Sequence, residues 1–143
     1  MLSGTASTAP LPEPAPLDEA GPTFAIDITG LRSTKGLILI CLTANSARFP
    51  YCVEGSDTRL IRVVANQAGP IAVKGLAPGH YAVSLVHDEN GNGRLDKAVM
   101  IPREGFGFSR NPKITFGPPK FAAAEVKFGA TDLNVPVTMK YFF

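Results

Sequence analysis

The stretch from Gly79 to Asp96 reads GHYAVSLVHDENGNGRLD, and its two halves follow different patterns. In the first half, Tyr81, Val83 and Leu85 recur at every second position, which is typical of a β-strand with one apolar face. The second half is made of oxygen-bearing side chains and glycine, which is typical of a turn. The stretch therefore predicts a strand that ends in a polar loop. His87 falls at the junction, where we expect a buried or half-buried structural histidine.

The oxygen-bearing residues of the second half are spaced as in the front of a calcium-binding loop. They fall at relative positions 1, 3, 5 and 9, with glycine at position 6 and a backbone carbonyl at position 7. Alternate residues of a tight turn point their oxygens toward one centre, and the glycine permits the sharp reversal. The residues in these positions are Asp88, Asn90, Asn92, Gly93, Arg94 and Asp96. The spacing predicts a structural Ca²⁺ ion, to which Arg94 contributes its carbonyl oxygen.

The back of this loop departs from an EF-hand. Position 12, where an EF-hand places a bidentate glutamate, is Val99, and a strand rather than a helix precedes the loop. The next carboxylate is Glu104, which we expect to close the site from a later segment. A metal-free interpretation stays open, because Asn-Gly-Asn-Gly is also a strong turn signal and Asx side chains can bond their own backbone.

Length and composition indicate one domain of β-strands. A chain of 143 residues has room for a single core. Fourteen glycines and thirteen prolines in a sequence that is 45% apolar are typical of many short strands joined by turns. A net charge of +2 with 18% charged residues provides neither a basic face nor an acidic tail, so we do not expect nucleic acid as a partner.

Apolar patterns predict seven strands, packed as an immunoglobulin-like or transthyretin-like β-sandwich. The run Leu37–Leu42 is apolar throughout and predicts a central strand covered on both faces, whereas Arg62 interrupts Leu60–Ala65 as in an edge strand. The other strands are expected at Phe24–Ile28, Ile71–Val73, Tyr81–Val86, Ala124–Phe128 and Val135–Tyr141. The L-x-P-G-x-Y-x-V pattern that begins at Leu76 resembles a hairpin common in transthyretin-like sandwiches.

Residues 1–22 differ in composition from the rest of the chain. They are rich in proline, which favours extended, solvated backbone, so we predict a disordered tether followed by one domain at residues 23–143. No apolar run approaches the about 18 residues needed to span a bilayer. The first residues lack the basic start and apolar core of a signal peptide, and we expect that an export signal has been removed. The tether suggests envelope association; a chain end without a role is the alternative.

Cys41 and Cys52 are separated by a loop long enough to bring their sulfurs together. In an oxidising compartment, closing so short a loop would stabilise the fold by roughly 2–3 kcal/mol. We therefore predict a disulfide, with two reduced thiols as the alternative. Metal binding by this pair is not expected, since no histidine or further cysteine lies near to complete four ligands.

A stretch rich in glycine, proline and phenylalanine, residues 101–120, separates the fifth and sixth predicted strands. Glycine and proline at this density exclude a helix or a continuous central strand, so we predict one long loop. Its phenylalanines either pack onto the sandwich as a lid or form an exposed recognition surface. We favour packing, because exposed aromatic clusters promote aggregation. The candidate ligand-binding residues of this loop are Arg103, Phe106, Phe108, Arg110 and Phe116.

With these residues laid out, the chain resembles the DUF2141 family, a set of bacterial and mostly exported proteins of unknown function. The residues that carry the resemblance are His87–Asn90 with Gly93–Asp96, Ile101–Ser109 and Phe116–Pro119. The resemblance runs from about Phe24 to Phe142 and implies an exported β-sandwich without implying a reaction. The chain departs from many members at Lys97-Ala98-Val99, where they carry a polar residue such as Thr or Asn.

These patterns favour a non-enzymatic module that acts in the periplasm or outside the cell. In this hypothesis Ca²⁺ pins Asp88–Asp96 against Glu104–Phe108 and presents a rigid surface to a protein or glycan partner. One alternative is a carrier of a small apolar or anionic ligand under the Phe-rich loop. A hydrolase that uses His87 with Asp88 or Glu104 comes last, since the sequence has no G-x-S-x-G elbow and no H-E-x-x-H motif.

Overall fold

The computed structural model describes residues 21–53, 55–91, 104–114 and 117–141, and they form eight β-strands. The strands are β1 (Phe24–Thr29), β2 (Leu37–Thr43), β3 (Thr58–Val64), β4 (Pro70–Val73), β5 (Gly79–Asp88), β6 (Gly105–Phe108), β7 (Val126–Phe128) and β8 (Leu133–Thr138). Helix in these residues amounts to one α-helical turn, α1 (Phe121–Ala124), and one 3₁₀ turn (Ala65–Gln67). The all-β prediction is confirmed, with one strand more than the seven expected.

The smaller sheet contains three strands in the order β4-β1-β8. β1 runs antiparallel to β4 and parallel to β8, so that Phe24 lies opposite both Val73 and Leu133. Every second residue of β1 is buried, beginning with Phe24, which is the alternation that its sequence predicted. The smaller sheet therefore has one face directed into the protein.

The larger sheet has the order β3-β2-β5-β6, and β7 pairs with the first residues of β5. All of these pairs are antiparallel. Along β2, Leu37 lies opposite Asp88 at one end, and Thr43 lies opposite Thr58 at the other. The prediction of a central strand at β2 and of an edge strand at β3 is confirmed.

Buried side chains from both sheets form the principal core. Phe24 of the smaller sheet meets Tyr81 and Phe128 edge to face, with ring centroids 6.1 and 5.5 Å apart. The other large members are Ile26, Ile28, Ile38, Ile40, Leu42, Val83, Leu85, Val135, Val137 and Met139. The residues of β5 in this core are the alternate positions from Tyr81 onward, as the period of two predicted.

A second apolar cluster covers the outer face of the larger sheet. Phe49, from the loop between β2 and β3, lies with its ring centroid 6.0 Å from that of Phe108 and 6.0 Å from that of Phe121. The other buried members are Leu39, Ala82, Val86, Phe106 and Ala124. Because both faces of β2 are covered, its residues from Leu37 to Leu42 are all apolar, and β5 carries buried residues on both faces from Tyr81 onward.

The stretch predicted as one long loop contains a strand, β6, which pairs with β5. Its two glycines lie where side chains do not fit: a Cβ on Gly105 would overlap the Tyr141 ring, and one on Gly107 would lie 2.7 Å from a methyl of Val137. The two phenylalanines of β6 are buried in the second cluster. Glycine alternating with phenylalanine was thus a strand pattern, and the loop prediction is wrong at these four residues.

Cys41 and Cys52 form a disulfide, with Cα atoms 5.7 Å apart and a sequence separation of 11 positions. Cys41 lies in β2, and Cys52 lies in the loop that carries Phe49 onto the outer face of the larger sheet. The disulfide therefore holds a loop over the second cluster. The predicted pairing is confirmed.

We expect reduction of this disulfide to lower the free energy of unfolding by about 2–3 kcal/mol, because an open loop gives the unfolded chain more conformations. Urea unfolding with and without dithiothreitol measures the loss. The matched control is the double variant Cys41→Ala/Cys52→Ala, whose stability should not respond to the reductant. An equal response in wild type and control would contradict the prediction.

Candidate functional site

Two carboxyl groups face each other where β5 ends and β6 begins. Val86 pairs with Phe106 and His87 with Gly105, so the next step of the register places Asp88 opposite Glu104. The side chains are withdrawn from water, since Asp88 is 0% and Glu104 9% exposed. Like charges directly opposite on neighbouring strands repel, and burial strengthens the repulsion.

Burial and the repulsion between the two carboxyl groups change the pKa of Glu104. Burial and the neighbouring Asp88 carboxylate raise the pKa of Glu104 to about 7 from its usual 4.5. The two carboxyl groups are hydrogen-bonded, and Glu89 adds a smaller repulsion that also raises the pKa of Glu104. Glu104 therefore retains its proton to higher pH than an exposed glutamate does.

A tight turn follows Asp88 directly. The Gly91 amide donates to the Asp88 carbonyl at 3.2 Å, and Gly91 has φ +70°, a conformation that glycine adopts without strain. Asn90 lies in this turn. The Asn-Gly pair therefore forms the turn that its sequence predicted, and it ends β5 at Asp88.

The turn is anchored through Glu89, whose carboxylate behaves in the opposite way to that of Glu104. The Arg32 guanidinium donates to both Glu89 oxygens, at 2.7 and 3.3 Å, and the Ser33 hydroxyl donates to one of them at 2.8 Å. The hydrogen bonds from Arg32 hold the pKa of Glu89 down at about 2. Glu89 is thus ionised and paired, and it fixes the loop before β2 against the end of β5.

Gly36 lets the same loop approach this turn closely. It has φ +71°, and a Cβ there would overlap the backbone oxygen of Asp88. Its carbonyl accepts a hydrogen bond from the Ala65 amide at 2.9 Å. Contact between backbones, rather than between side chains, thus fixes the position of Asp88 from this side.

His87 is buried, and both of its ring nitrogens make hydrogen bonds. Its Nε2 lies 2.8 Å from the Lys35 carbonyl oxygen, which can only accept, so Nε2 carries the proton. Its Nδ1 then accepts from the Tyr141 hydroxyl at 2.7 Å. Tyr141 is held in turn by Arg32, whose guanidinium lies 4.5 Å above its ring. With 0% exposure and both ring nitrogens occupied, the side chain has the buried role that the sequence predicted.

The predicted calcium ligands are only partly within the described residues. Asp88 and Glu104 are brought together as expected, and Asn90 is in the adjoining turn; the structure does not describe Asn92, Arg94 and Asp96. Within residues 21–53, 55–91, 104–114 and 117–141, no group of three His, Cys, Asp or Glu side chains is arranged to hold a metal ion. Two described carboxyl groups thus form the inner part of the candidate site.

Two of the candidate ligand residues of the Phe-rich stretch are packed inside the protein. Phe106 and Phe108 are buried, while Arg110 is exposed at φ +66° and donates to the Ala122 carbonyl at 3.3 Å. Arg103 and Phe116 lie outside the described residues. The void found beside the two buried rings measures about 10 Å³, room for at most one water molecule. Packing rather than an open surface describes these two phenylalanines.

Sequence reasoning missed the partners that hold the site in place. Glu89 falls at relative position 2 of the loop, which is not a ligand position, and Arg32 lies 57 residues before it. Tyr141 lies 54 residues after His87. A buried histidine in the sequence predicts that some partner exists, but local spacing contains no signal for which distant residue supplies it.

The comparisons with known proteins give the chain a family. The profile described as "Uncharacterized protein conserved in bacteria (DUF2141)" matches residues 26–136, which is most of the chain. The chain belongs to the DUF2141 family. The match spans β1 to β8, including Asp88 and Glu104, so the candidate site lies within the family's domain. No curated protein and no solved structure matches the chain. In the part of the chain that the structure describes, no helix has the length and apolar character to cross a membrane.

We expect the calcium-free protein to lose stability as the pH rises from about 4.5 to about 7. The folded pKa of Glu104 is raised above the unfolded value, so the folded state binds more protons in this interval. The contribution of the group is complete below pH 4.5 and is lost as the pH rises through 7. The loss is roughly 1–3 kcal/mol, and urea unfolding in chelator across this range measures it.

The matched variant for this prediction is Glu104→Gln, whose neutral amide keeps the shape of the protonated acid. Its stability should be close to that of wild type at low pH and should exceed it above pH 7. Asp27→Asn, on β1 and away from the pair, serves as the control. A constant difference between wild type and Glu104→Gln at all pH values would refute the assignment.

Proposed function

We propose that this protein is a non-enzymatic, exported β-sandwich module in which a structural Ca²⁺ ion shapes the end of β5 for binding a protein or glycan partner. The observation that carries the proposal is the buried pair of carboxyl groups on adjacent strands, Asp88 and Glu104. The position of this pair, at the start of a loop with calcium-ligand spacing, supports a metal rather than a catalytic role.

The first step of the argument is energetic. The rise of the pKa of Glu104 to about 7 means that ionising this group beside Asp88 is unfavourable by roughly 1–3 kcal/mol. A divalent cation between the two groups would replace the repulsion with attraction and would favour the ionised form of both. At neutral pH the two carboxylates would therefore be more stable with a bound cation than without one.

The second step concerns the identity of the cation. The candidate donors are all oxygens: the carboxylates of Asp88, Asp96 and Glu104, the amides of Asn90 and Asn92, and the carbonyl of Arg94. Hard cations prefer such a set, and Ca²⁺ accepts six to eight oxygen ligands at about 2.3–2.6 Å in flexible geometry. A loop that mixes side-chain and backbone oxygens suits Ca²⁺ better than Mg²⁺, which requires near-ideal octahedral geometry.

The third step concerns the compartment. The Cys41–Cys52 disulfide supports an oxidising environment, since such bonds persist in the periplasm and outside the cell. Calcium sites of extracellular modules bind at about 10⁻⁴–10⁻³ M. A weak structural site is therefore consistent with an exported protein, and we place the protein in the periplasm or the extracellular space.

A structural role also agrees with the surroundings of the site. Both nitrogens of His87 are occupied, so no free imidazole nitrogen is available as a general base for a hydrolase. The void of about 10 Å³ beside Phe106 and Phe108 gives a carrier function no support. We also infer that the two packed sheets belong to the immunoglobulin-like or transthyretin-like class, with β6 as an addition to its seven strands.

The partner surface in this proposal lies beside the ion, where the loop before β2 and the residues after β8 meet the end of β5. Lys35 and Lys140 are exposed there: the Lys35 carbonyl lies 2.8 Å from Nε2 of His87, and Lys140 pairs with Phe106, two residues after Glu104. A rigid surface with two cationic side chains suits an acidic glycan or an acidic protein segment. The ion would act by ordering the neighbouring loop, without contacting the partner.

We expect Ca²⁺ to raise the melting temperature of the wild-type protein. At about ten times the dissociation constant, ligand linkage adds roughly 1.4 kcal/mol, which corresponds to an increase of roughly 3–6 °C. Calorimetric titration should give one ion per chain. Asp88→Asn and Glu104→Gln should each abolish the increase, while Asp27→Asn should retain it. An unchanged melting temperature in calcium and in chelator would reject the structural ion.

Binding of the partner should depend on the ion. On an array of acidic and neutral cell-surface glycans, the protein in Ca²⁺ should bind acidic glycans at least about tenfold more strongly than in chelator. Lys35→Gln and Lys140→Gln should each weaken this binding, and the control Lys127→Gln, an exposed cation on β7, should not. Equal binding in calcium and chelator would separate partner recognition from the ion and contradict this part of the proposal.

A further inference from the structure

A cavity lies at the end of the larger sheet that is remote from Asp88. It has a volume of about 160 Å³ and is partly open to solvent. It lies next to Thr58, which pairs with the last residue of β2, whereas Asp88 pairs with the first. Six residue steps of a strand separate the two ends, which is about 20 Å. The cavity is therefore a separate feature of the fold and does not depend on the proposed calcium site.

Two opposite charges face this cavity. Asp57 and Arg59 both line it, and they form no ion pair with each other. The Arg59 guanidinium is fixed by donating to the carbonyls of Lys74 and Gly75, at 2.9 and 2.8 Å. These bonds use two of its five N–H groups, so further donors remain for a ligand. A positive group is thus held in a defined place opposite a carboxylate.

The carboxylate is positioned as well. One oxygen of Asp57 accepts from the Thr58 hydroxyl at 2.9 Å. Thr58 is in turn 2.6 Å from the hydroxyl of Thr43, and that buried pair ties the carboxylate to the end of β2. The charged groups of the cavity are therefore organised before any ligand arrives, which lowers the entropy that binding must overcome.

The remaining wall is mainly apolar. Leu42 forms part of it with its side chain buried, and Leu76 and Ala77 add aliphatic surface. The Tyr81 hydroxyl lies at the cavity but donates to the Ala77 carbonyl at 2.7 Å. For scale, an engineered cavity of about 150 Å³ holds benzene, so a volume of 160 Å³ accommodates a ligand of about six to eight heavy atoms.

We propose that this cavity binds a small zwitterion of the α-amino acid class, with its ammonium group at Asp57, its carboxylate at Arg59 and its aliphatic side chain against Leu42 and Leu76. Each feature of the ligand has a counterpart in the wall. A net-neutral molecule with separated charges satisfies both ionic groups, which a simple anion or cation would not. The size of the cavity selects ligands from alanine to valine.

The experiment uses the full chain labelled with ¹⁵N, titrated with L-alanine and L-valine and followed by amide chemical shifts. Saturable shifts confined to residues around the cavity are expected. L-valinamide lacks the carboxylate and 2-hydroxy-3-methylbutanoate lacks the ammonium group, and each should bind at least about tenfold more weakly, because each leaves one charged wall group without its ligand partner. Glycerol, a neutral polar molecule with six heavy atoms, should cause no saturable shifts.

Variants locate the binding groups. Asp57→Asn and Arg59→Gln should each weaken L-valine binding by about tenfold or more. Arg62→Gln is the matched control, since Arg62 is on the same strand but does not line the cavity. Arg59→Gln also loses hydrogen bonds to two carbonyls, so its melting temperature is measured alongside. Ala77→Leu fills the cavity from its exposed rim and should abolish binding while leaving the fold intact.

Several results would overturn the inference. These are the absence of saturable shifts with both amino acids, equal affinity for L-valine and its two analogues, and L-valine binding that survives Asp57→Asn and Ala77→Leu. Saturable shifts with glycerol at equal strength would assign the cavity to neutral polyols instead. Because wild type and Asp88→Asn should bind L-valine equally, failure of the calcium proposal and failure of this one are distinguishable.

Discussion

Strand β5 is buried on both faces from Tyr81 to Asp88, and this constraint organises the rest of the structure. A buried polar group without a hydrogen bond costs about 1–3 kcal/mol, so each polar residue of β5 requires a partner from elsewhere in the chain. Ser84 donates to the Pro50 carbonyl, and His87 bonds to Tyr141 and the Lys35 carbonyl. The loops around the sheet are therefore held by the polar residues of its most buried strand.

The same constraint gives the two faces of β5 different roles. Its odd-numbered residues belong to the core between the sheets, and Ala82 and Val86 belong to the cluster on the outer face. The disulfide loop and the stretch around α1 contribute to the outer cluster by bringing Phe49 and Phe121 over the sheet. Because both faces of β5 are covered, the polar groups of the candidate site lie at the end of the strand, where Asp88 and Glu104 meet.

Local patterns predicted those parts of the fold that depend on neighbouring residues. Three such features were predicted correctly: the alternation in β1 and β5, the uninterrupted apolar run of β2 and the charged edge strand β3. Burial on one face produces an alternating pattern in the sequence, and burial on both faces produces a continuous apolar run. The parallel pairing of β1 with β8 was not, since it joins Phe24 to Leu133. Strand β6 was not predicted, because its glycines are required by close contacts with Tyr141 and Val137, which lie far along the chain.

The candidate site divides in the same way. Asp88 was predicted from the loop spacing, and Glu104 was predicted because it is the next carboxylate in the sequence after the loop. Their direct opposition depends on the register of β5 and β6, and β6 itself was not predicted. Glu89, between them in sequence, could not be assigned, because its role is set by Arg32 and Ser33. Loop spacing indicates which side chains point to the same side of the turn. Contacts with distant segments decide which of those side chains pair with other residues of the protein.

The two ends of the larger sheet are built from different kinds of contact, and this separates what each can do. The end at Asp88 is fixed by interactions between segments more than 50 residues apart, such as Arg32 with Glu89. The opposite end is fixed by short-range links, among them the Cys41–Cys52 disulfide and the bond between Thr43 and Thr58. Sites that share no residue and lie well beyond 10 Å apart contribute nearly additively. Substitutions at one end of the sheet are therefore expected to leave the structure of the other end unchanged.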